Sequence, residues 1–524
     1  MKKFISIPQS VFLFGLLFHN SGLFSQPNFS KEELTQLKIV SGINYTFKNY
    51  TNEIWPNYDL SKEPYIVYLP DKWALYINTQ NTVKDFERYP PEWPDLGTQA
   101  LIHKGTYKDL VGQFEFDFQI DSISTFAMGL PGNLVFSFDN PSYMLFSTTI
   151  HEGFHQYQRK YFGEIPWARE ENYPILDKEN TALASLEMQI LKDAMVEIHA
   201  GNSNELVELI KQFVAVRLFR WEHSDNFVRK YEQGQEINEG TARYVEMKAV
   251  DCFLNLNCEQ TGNLLLTDLA KDMANISMPE LLIDDMEARL TGISVSPEDM
   301  PRNRIYPVGA TLGYIMDELN INWKEKFQTA GYDVSFAQLL NEYFDMDADH
   351  QEVYLDKAKV KYRYQEILAQ GSDLIDNYFS SYIKAKDEFD RQQGIQVEID
   401  LPNNGILRFR STKSRKWIVE NGKIILCLNY NLYSLKSMIN NNLVLEIHNK
   451  ALSDENDWEQ KRKKVVFFIR NFSELIINDT PLSLTKDIEK SFDKIELAGE
   501  DFKFEAESKG DINIYNNIIK IDLR

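Results

Sequence analysis

The amino-acid sequence predicts an α+β protein with a mainly helical middle region and a β-rich C-terminal module. Three observations support this. Short runs rich in β-branched and aromatic residues precede residue 140, helical periodicity dominates residues 141–395, and short apolar runs separated by Asn, Gly or charged turns follow residue 396. The chain has 524 residues, more than one hydrophobic core usually spans, so two or three domains are expected.

The first 25 residues are predicted to be a signal peptide. A short basic start, Met1-Lys2-Lys3, precedes an apolar run over residues 11–18, and cleavage is expected near Ser25. The apolar run is too short for a spanning helix, although an uncleaved membrane anchor is the alternative. We therefore expect a secreted or periplasmic protein with no stable membrane span after cleavage.

Residues 26–140 are predicted to form a mixed α/β region that contains a sheet. A helix is expected over residues 30–53, with Ser30 as the N-cap. β-strands are expected at four runs with strand composition or strict alternation, namely residues 64–69, 73–77, 114–118 and 133–138.

Residues 141–395 are predicted to be mainly helical. Asn140 and Pro141 suit an N-cap and the first helical position of a helix that continues to about residue 162. Further helices are expected near residues 177–198, 203–232, 236–253, 308–320 and 372–393.

Residues 396–524 are predicted to form a small β-rich module. Its expected strands include residues 406–410, 423–428, 443–447 and 465–469. No residues suited to catalysis stand out there, so a packing or adhesion role is expected.

Charge and cysteine content limit the possible functions. The net charge of −22 argues against a nucleic-acid partner, whose phosphates require a basic surface. Cys252 and Cys258 are close enough in sequence to pair, and an exported location permits a disulfide. None of the three cysteines has metal-ligand spacing with another Cys or a His, so all three are interpreted as structural.

The segment His151-Glu152-Gly153-Phe154-His155 predicts a zinc site. Residues four positions apart lie on one face of a helix, so both imidazoles can bind the same ion. Glu152 follows the first histidine and can act as the general base towards a water at the metal.

A catalytic zinc site needs a third protein ligand and an open position. The segment Asn238-Glu239-Gly240-Thr241-Ala242 and the later Glu246 resemble the second motif of gluzincin metallopeptidases, above all the aminopeptidase N family. The resemblance implies that Glu239 is the third ligand. Gly240 and Ala242 are expected to let their helix approach the first helix closely.

Glu246 lies seven residues after Glu239 on the same helix face, where it could orient a ligand histidine. The 83 residues between His155 and Glu239 exceed the spacing in that family and are predicted to be a helical insert. Three residues of the insert are alternative third ligands, namely Glu187, Glu197 and His199.

A further segment, Tyr306-Pro307-Val308-Gly309-Ala310, is similar to the Tyr-x-x-Gly-Ala segment of the same family. The resemblance implies that the Tyr306 hydroxyl stabilises the oxyanion of the reaction, with His223 as the alternative donor. Residues 127–133 occupy the place of the family's substrate-binding strand but lack its glutamate. An edge strand is still expected there. Because the glutamate is missing, the sequence does not predict selectivity for substrates with a free amino terminus.

The sequence as a whole predicts an exported metallopeptidase with one zinc ion and a peptide or protein substrate. The resemblance implies a gluzincin-like catalytic domain, with a twisted sheet, a mainly helical lobe and the site between them. One alternative is a zinc hydrolase of a non-peptide amide or ester. The other is a non-catalytic binding protein on a peptidase scaffold.

Overall fold

The computed structural model contains both helices and sheets, with a β-rich C-terminal part, so the α+β prediction is confirmed at this level. The predicted signal peptide and the strand predicted at 133–138 lie outside the described residues. No helix in the described part of the chain is long and apolar enough to cross a membrane. The structure describes residues 29–79, 82–108, 110, 114–120, 122–129, 140–163, 165, 169–291, 296–402, 407–412, 415–437, 443–482 and 487–524.

The N-terminal region begins with helix α1, Lys31–Ile54, whose N-cap is Ser30 as predicted. The Glu33 N–H donates to Ser30 Oγ at 3.3 Å, and the Ser30 N–H donates to Glu33 Oε2 at 2.6 Å. This reciprocal capping satisfies two N–H groups that would otherwise lack partners at the helix start. Helix α1 then packs into the main hydrophobic core through Leu37, Ile43 and Phe47.

A six-stranded sheet follows, and its order is β3-β4-β2-β1-β6-β5. The strands are β1 Tyr65–Leu69, β2 Trp73–Ile77, β3 Glu87–Arg88, β4 Ala100–Lys104, β5 Phe114–Ile120 and β6 Ile123–Gly129. Strands β1 and β6 are parallel and the other pairs are antiparallel. The strands predicted at 64–69, 73–77 and 114–118 are therefore confirmed.

The prediction of an edge strand at residues 127–133 is wrong for its described part. Residues 127–129 belong to β6, which pairs with β1 on one side and with β5 on the other. The two edges of the sheet are β3 and β5, and β5 is the one next to β6. Composition predicts that a segment is a strand, but the order of strands depends on pairing between distant segments.

Helices dominate the middle of the chain, as predicted. They are α2 Pro141–Tyr161, α3 Lys178–Ala200, α4 Ser203–His223, α5 Asn226–Gln235, α6 Thr241–Leu254, α7 Leu264–Met273, α8 Met278–Thr291, α9 Asp299–Arg302, α10 Ile305–Glu318, α11 Trp323–Ala330, α12 Phe336–Phe344, α13 Ala348–Lys361 and α14 Tyr364–Asp390. Helix α2 starts at the predicted cap, where the Tyr143 N–H donates to Asn140 Oδ1 at 3.0 Å.

Two details of the helical prediction are corrected. The helix predicted at 203–232 is two helices, because α4 ends at His223 and the side chain of Asp225 caps α5. Helices α5 and α6 are joined by one wide π-helical turn, Glu236–Gly240.

Cys252 and Cys258 are buried thiols and form no disulfide with each other.

The C-terminal part is one large, mainly antiparallel sheet in which only β7 and β19 pair in parallel among the described strands. All four predicted strands are present in it. The strands are β7 Ile395–Pro402, β8 Leu407–Thr412, β9 Arg415–Val419, β10 Ile424–Ser437, β11 Leu443–Asp457, β12 Arg462–Ile469, β13 Glu474–Ile477, β14 Thr480–Pro481, β15 Ile488–Phe492, β16 Ile495–Gly499, β17 Phe502–Ala506, β18 Gly510–Tyr515 and β19 Ile518–Leu523.

This sheet has its own core, built by alternating residues such as Val397, Ile399 and Leu401. It also bonds to the last helix, α14. The Ile418 N–H donates to Tyr378 Oη at 2.6 Å. The Trp417 indole N–H donates to Ser381 Oγ at 2.8 Å. These bonds join the β-rich part to the helical part.

Candidate metal centre

Helix α2 presents His151 and His155 one turn apart on one face. Their rings meet edge to face, with centroids 4.7 Å apart, and their Nε2 atoms are 3.1 Å apart. His151 is only 7% exposed. The apolar flank of the helix, including Ile150 and Phe154, is fully buried in the main core. Packing of this flank fixes the direction in which the two imidazoles point.

The π-helical turn between α5 and α6 brings Glu239 to the two histidines. Its Oε2 atom lies 3.3 Å from His151 Nε2 and 3.4 Å from His155 Nε2. The three residues predicted as ligands therefore converge on one point. Burial alone would raise the pKa of Glu239, but the hydrogen bonds with His151 and His155 outweigh burial and lower it.

Glu152 lies in the same cluster. One ligand-capable atom from each of His151, Glu152 and His155 lies within 4.8 Å of the others. Burial raises the pKa of Glu152, although the charges of the two histidines oppose this shift. A partly buried carboxylate beside the converging atoms is well placed to exchange protons with a small molecule there.

Glu246 contacts the far side of the His151 ring. Its Oε2 atom lies 3.0 Å from His151 Nδ1. The other carboxylate oxygen is ion-paired with Arg243, which also lies 3.2 Å from Asp285. Because Glu246 is held by Arg243 and is nearly inaccessible to solvent, it can fix the orientation of the His151 ring.

Gln158 contacts the far side of the His155 ring, and the sequence analysis missed it. Its side-chain oxygen lies 2.7 Å from His155 Nδ1, and the residue is 1% exposed. The only sequence signal is its spacing of three residues from His155 on the same helix. Glutamine is common in helices, so that spacing alone predicts little.

Tyr306 lies in the first turn of helix α10 and over His151. The two rings are nearly parallel, with centroids 5.9 Å apart. Burial and the nearby charge of Glu239 raise the pKa of Tyr306, so the phenol keeps its proton at neutral pH. The structure thus brings Tyr306 into the same site as the two histidines and Glu239.

The alternative residues lie in other surroundings. Glu187 is fully buried, and its carboxylate bonds to Arg217 and Arg220 at 2.7–3.0 Å. His199 is exposed in the last turn of α3, where Glu197 is half-buried. His223 is exposed at the end of α4, where its Nδ1 atom contacts the carbonyl oxygen of Phe219 at 2.8 Å.

Glu187 belongs to a buried cluster of three glutamates and three arginines. Arg217 bonds to both carboxylate oxygens of Glu236 at 2.9 Å, and Glu236 is the first residue of the π-helical turn. Arg304, two residues before Tyr306, is ion-paired with Glu232. The cluster therefore connects the elements that carry Glu239 and Tyr306. Its members are Glu187, Glu232, Glu236, Arg217, Arg220 and Arg304.

Gly240 has a different neighbour from the one predicted. It packs against Gly309 of α10: a Cβ atom added at Gly240 would lie 2.6 Å from the Gly309 Cα atom. From the sequence, Gly240 is expected to let its helix approach α2 closely. This expectation is wrong, because the helix that lies against Gly240 is α10. The small residue allows close contact with the helix that carries Tyr306, and side chains such as Gln158 span the gap to α2.

The electrostatics of the cluster favour a cation. Three carboxylates, Glu152, Glu239 and Glu246, surround the two imidazoles. Burial opposes a charge on His151, but the hydrogen bonds that it donates to Glu239 and Glu246 prevail and raise its pKa to about 10. The cluster thus stabilises positive charge at the point where the histidines and Glu239 converge.

Comparison with known proteins gives no relative for this chain. No protein-family model, no curated protein and no solved structure matches it. The geometry of the site and the sequence motifs are therefore the basis for assigning a function.

Proposed function

We propose that this protein is a zinc-dependent metallopeptidase. The observation that carries the proposal is the triangle formed by His151 Nε2, His155 Nε2 and Glu239 Oε2, with sides of 3.1, 3.3 and 3.4 Å. Ligand atoms that surround one tetrahedral zinc ion at 2.0–2.1 Å lie about 3.3 Å from each other. The donor set, two imidazoles and one carboxylate, is also that of many catalytic zinc sites.

Hydrogen bonding on the far sides of the rings supports a cation at this point. Glu246 is ion-paired with Arg243 and can only accept from His151 Nδ1, so that nitrogen carries a proton. The oxygen of Gln158 likewise accepts from His155 Nδ1. Binding of a metal ion would displace the second proton of His151, and both Nε2 atoms would then be lone-pair donors that face the Glu239 carboxylate. Three such atoms at these separations favour a positive charge between them, which a proton supplies without the metal and a zinc ion would supply when bound.

The residues around this point match the parts of a hydrolytic reaction. When bound, zinc supplies Lewis acidity, which polarises a carbonyl group and makes water more acidic. Glu152 accepts the proton of the attacking water and passes it to the leaving amine. Tyr306 keeps its proton at neutral pH, and its hydroxyl donates a hydrogen bond to the oxyanion that develops on the substrate.

The sequence motifs support a peptide substrate and the gluzincin type. The resemblance rests on His151–His155, Asn238-Glu239-Gly240 and Tyr306 to Ala310. The site lies in the helical part, which shares the main hydrophobic core with the six-stranded sheet. A secreted or periplasmic location, suggested by residues 1–25, belongs to the same proposal, as does a single zinc ion per chain.

The experiment that tests the proposal compares the purified wild-type protein with Glu152→Gln. We expect one zinc per chain in both proteins, because Glu152 is not a ligand. We expect peptide hydrolysis to fall by about 10²–10⁴-fold in the variant, because it removes the general base. Zinc content is measured by elemental analysis, and hydrolysis with a library of peptides.

Other outcomes of this experiment would identify the alternatives. A wild-type protein that binds no zinc with useful affinity would refute the proposal. Hydrolysis of non-peptide amides or esters, with peptides left intact, would assign a different hydrolase. Zinc binding without hydrolysis of any substrate class would indicate a binding protein on a peptidase scaffold.

A further inference from the structure

We infer that Gln158 is a positioning residue that holds the His155 ring and the Glu239-bearing turn at a fixed separation. One side-chain amide then sets the distance between two ligands that come from different elements. This inference rests on the proposed function, because it concerns the same metal centre. It assigns a role to a residue that is neither a ligand nor in contact with the reacting atoms.

The contacts of Gln158 span the two ligand-bearing elements. Gln158 lies on α2, three residues after His155, and its Oε1 atom is 2.7 Å from His155 Nδ1. Its Nε2 atom is 3.0 Å from the Ile237 carbonyl oxygen, 2.8 Å from the Asn238 carbonyl oxygen and 2.9 Å from Thr241 Oγ1. All three of these partners lie within two residues of Glu239.

The two backbone partners determine which way the amide points. Carbonyl oxygens only accept hydrogen bonds, so the NH₂ end of Gln158 must face Ile237 and Asn238. The oxygen end is then turned towards His155 and accepts a hydrogen bond from the Nδ1–H group. The Nε2 atom of His155 is thereby left as the lone-pair donor, the tautomer that a metal ligand requires.

The turn that carries Glu239 receives hydrogen bonds from outside its own backbone. It is a π-helical turn, in which the Thr241 N–H reaches the Glu236 carbonyl oxygen five residues back. The carbonyl groups of Ile237 and Asn238 accept from Thr241, and Gln158 adds a second donor to each of them. The same amide therefore supports the unusual backbone that directs Glu239 towards the histidines.

Gln36 provides a matched control. It is also a buried glutamine, 3% exposed, and its Nε2 atom donates to the Tyr68 carbonyl oxygen at 2.7 Å. Its Oε1 atom accepts from the ring N–H of Trp73 at 2.9 Å. Gln36 thus makes a similar bridge between a ring N–H and one backbone carbonyl group, and neither of its partners belongs to the metal centre.

The experiment compares full-length wild-type protein with Gln158→Met, Gln158→Glu and Gln36→Met. Zinc affinity is measured by competition with a chromogenic chelator. The visible spectrum of the cobalt(II)-loaded proteins reports the geometry of the ligands. Thermal unfolding of the metal-free proteins measures the loss of stability in each variant.

We expect both Gln158 variants to bind zinc about 10–100-fold more weakly, the usual effect of removing a partner of a ligand histidine. Glutamate at 158 keeps an acceptor for His155 but places an oxygen against two carbonyl oxygens. It therefore breaks the contact with the turn. The cobalt spectrum should change in both variants. Gln36→Met should lower the unfolding temperature and leave zinc affinity and the cobalt spectrum unchanged.

The inference would be overturned if Gln158→Met kept the zinc affinity and the cobalt spectrum of the wild type. It would also be overturned if Gln36→Met changed both properties as much as Gln158→Met does. If Gln158→Met does not fold, Gln158→Glu decides alone, and unchanged zinc affinity in it would refute the contact with the turn. These failures differ from a failure of the proposed function, in which the wild-type protein itself binds no zinc.

Discussion

At the scale of the residue, the histidines of the candidate metal centre are held by partners of different charge. His151 faces the Glu246 carboxylate, whereas His155 faces the neutral amide of Gln158. A carboxylate makes its histidine the more basic ligand, and an amide fixes orientation without adding charge. The two imidazoles should therefore contribute unequally to metal binding.

Glu239→Ala tests the third ligand. We expect it to weaken zinc binding by more than the roughly 10–100-fold typical of outer partners, because a direct ligand is lost. His199→Ala is the control, since His199 is exposed on α3 and is one of the three alternative ligands. Competition with a chelator measures both variants. A larger loss in His199→Ala would show that the wrong residue is assigned.

Tyr306→Phe tests the oxyanion donor. It should lower kcat by about 10²–10³-fold, because one hydrogen bond to the developing charge is lost, and zinc content should not change. His223→Gln should keep wild-type kcat, because His223 lies at the exposed end of α4. Steady-state kinetics on the best peptide substrate would distinguish the two. A loss of kcat confined to His223→Gln would reverse the assignment.

At the scale of the element, the site depends on two contacts made by the turn Glu236–Gly240. On one side Gly240 lies against Gly309 of α10, and a Cβ added at Gly309 would be 2.5 Å from the Gly240 Cα atom. On the other side the buried cluster of arginines and glutamates binds Glu236 through Arg217. Both contacts are deeply buried, so the turn has little freedom to move.

Gly309→Ala tests the helix contact. The added methyl group has no room, so we expect the variant to lose about 1–3 kcal/mol of unfolding free energy. Zinc affinity should fall as well, because Glu239 lies next to the displaced turn. Chemical denaturation and chelator competition measure the two effects.

Gly371→Ala is the control for this substitution. Gly371 lies inside α14, and a Cβ there would meet its nearest neighbour at 3.8 Å, an ordinary contact. Alanine should therefore stabilise the protein by about 0.5–1 kcal/mol. If Gly309→Ala were as harmless as Gly371→Ala, the close approach of the two helices would be disproved.

At the scale of the whole molecule, the centre links segments that are distant in sequence. His151 and His155 come from α2, Glu239 from the turn after α5, and Tyr306 from the start of α10. These elements also share the main hydrophobic core with α1 and the N-terminal sheet. A metal ion that binds only the folded chain should therefore stabilise the entire helical part.

Metal removal tests this link. The unfolding temperature should rise with zinc concentration and fall on addition of a chelator. At a zinc concentration of 100 times Kd, the bound ion should add about 2.7 kcal/mol to the free energy of unfolding. His155→Ala should show little response to zinc, whereas Glu152→Gln should respond like the wild type. Differential scanning calorimetry measures the shifts. Equal responses in His155→Ala and wild type would place the ion elsewhere.

The sequence by itself determined the local features of this protein. The N-caps Ser30 and Asn140, the helix that carries His151 and His155, and most strand segments follow from short-range patterns. Caps act within one turn, and the i, i+4 spacing places two side chains on one helix face wherever that helix lies. The two imidazoles could therefore be paired from the sequence alone.

Tertiary structure decided what connects distant segments. It placed β5 rather than residues 127–129 at the edge of the sheet, and it packed Gly240 against Gly309. It also put Glu187 in a buried ion cluster and Gln158 between His155 and the Glu239 turn. These contacts depend on packing between elements far apart in sequence, and a residue's type does not specify its partner across such distances.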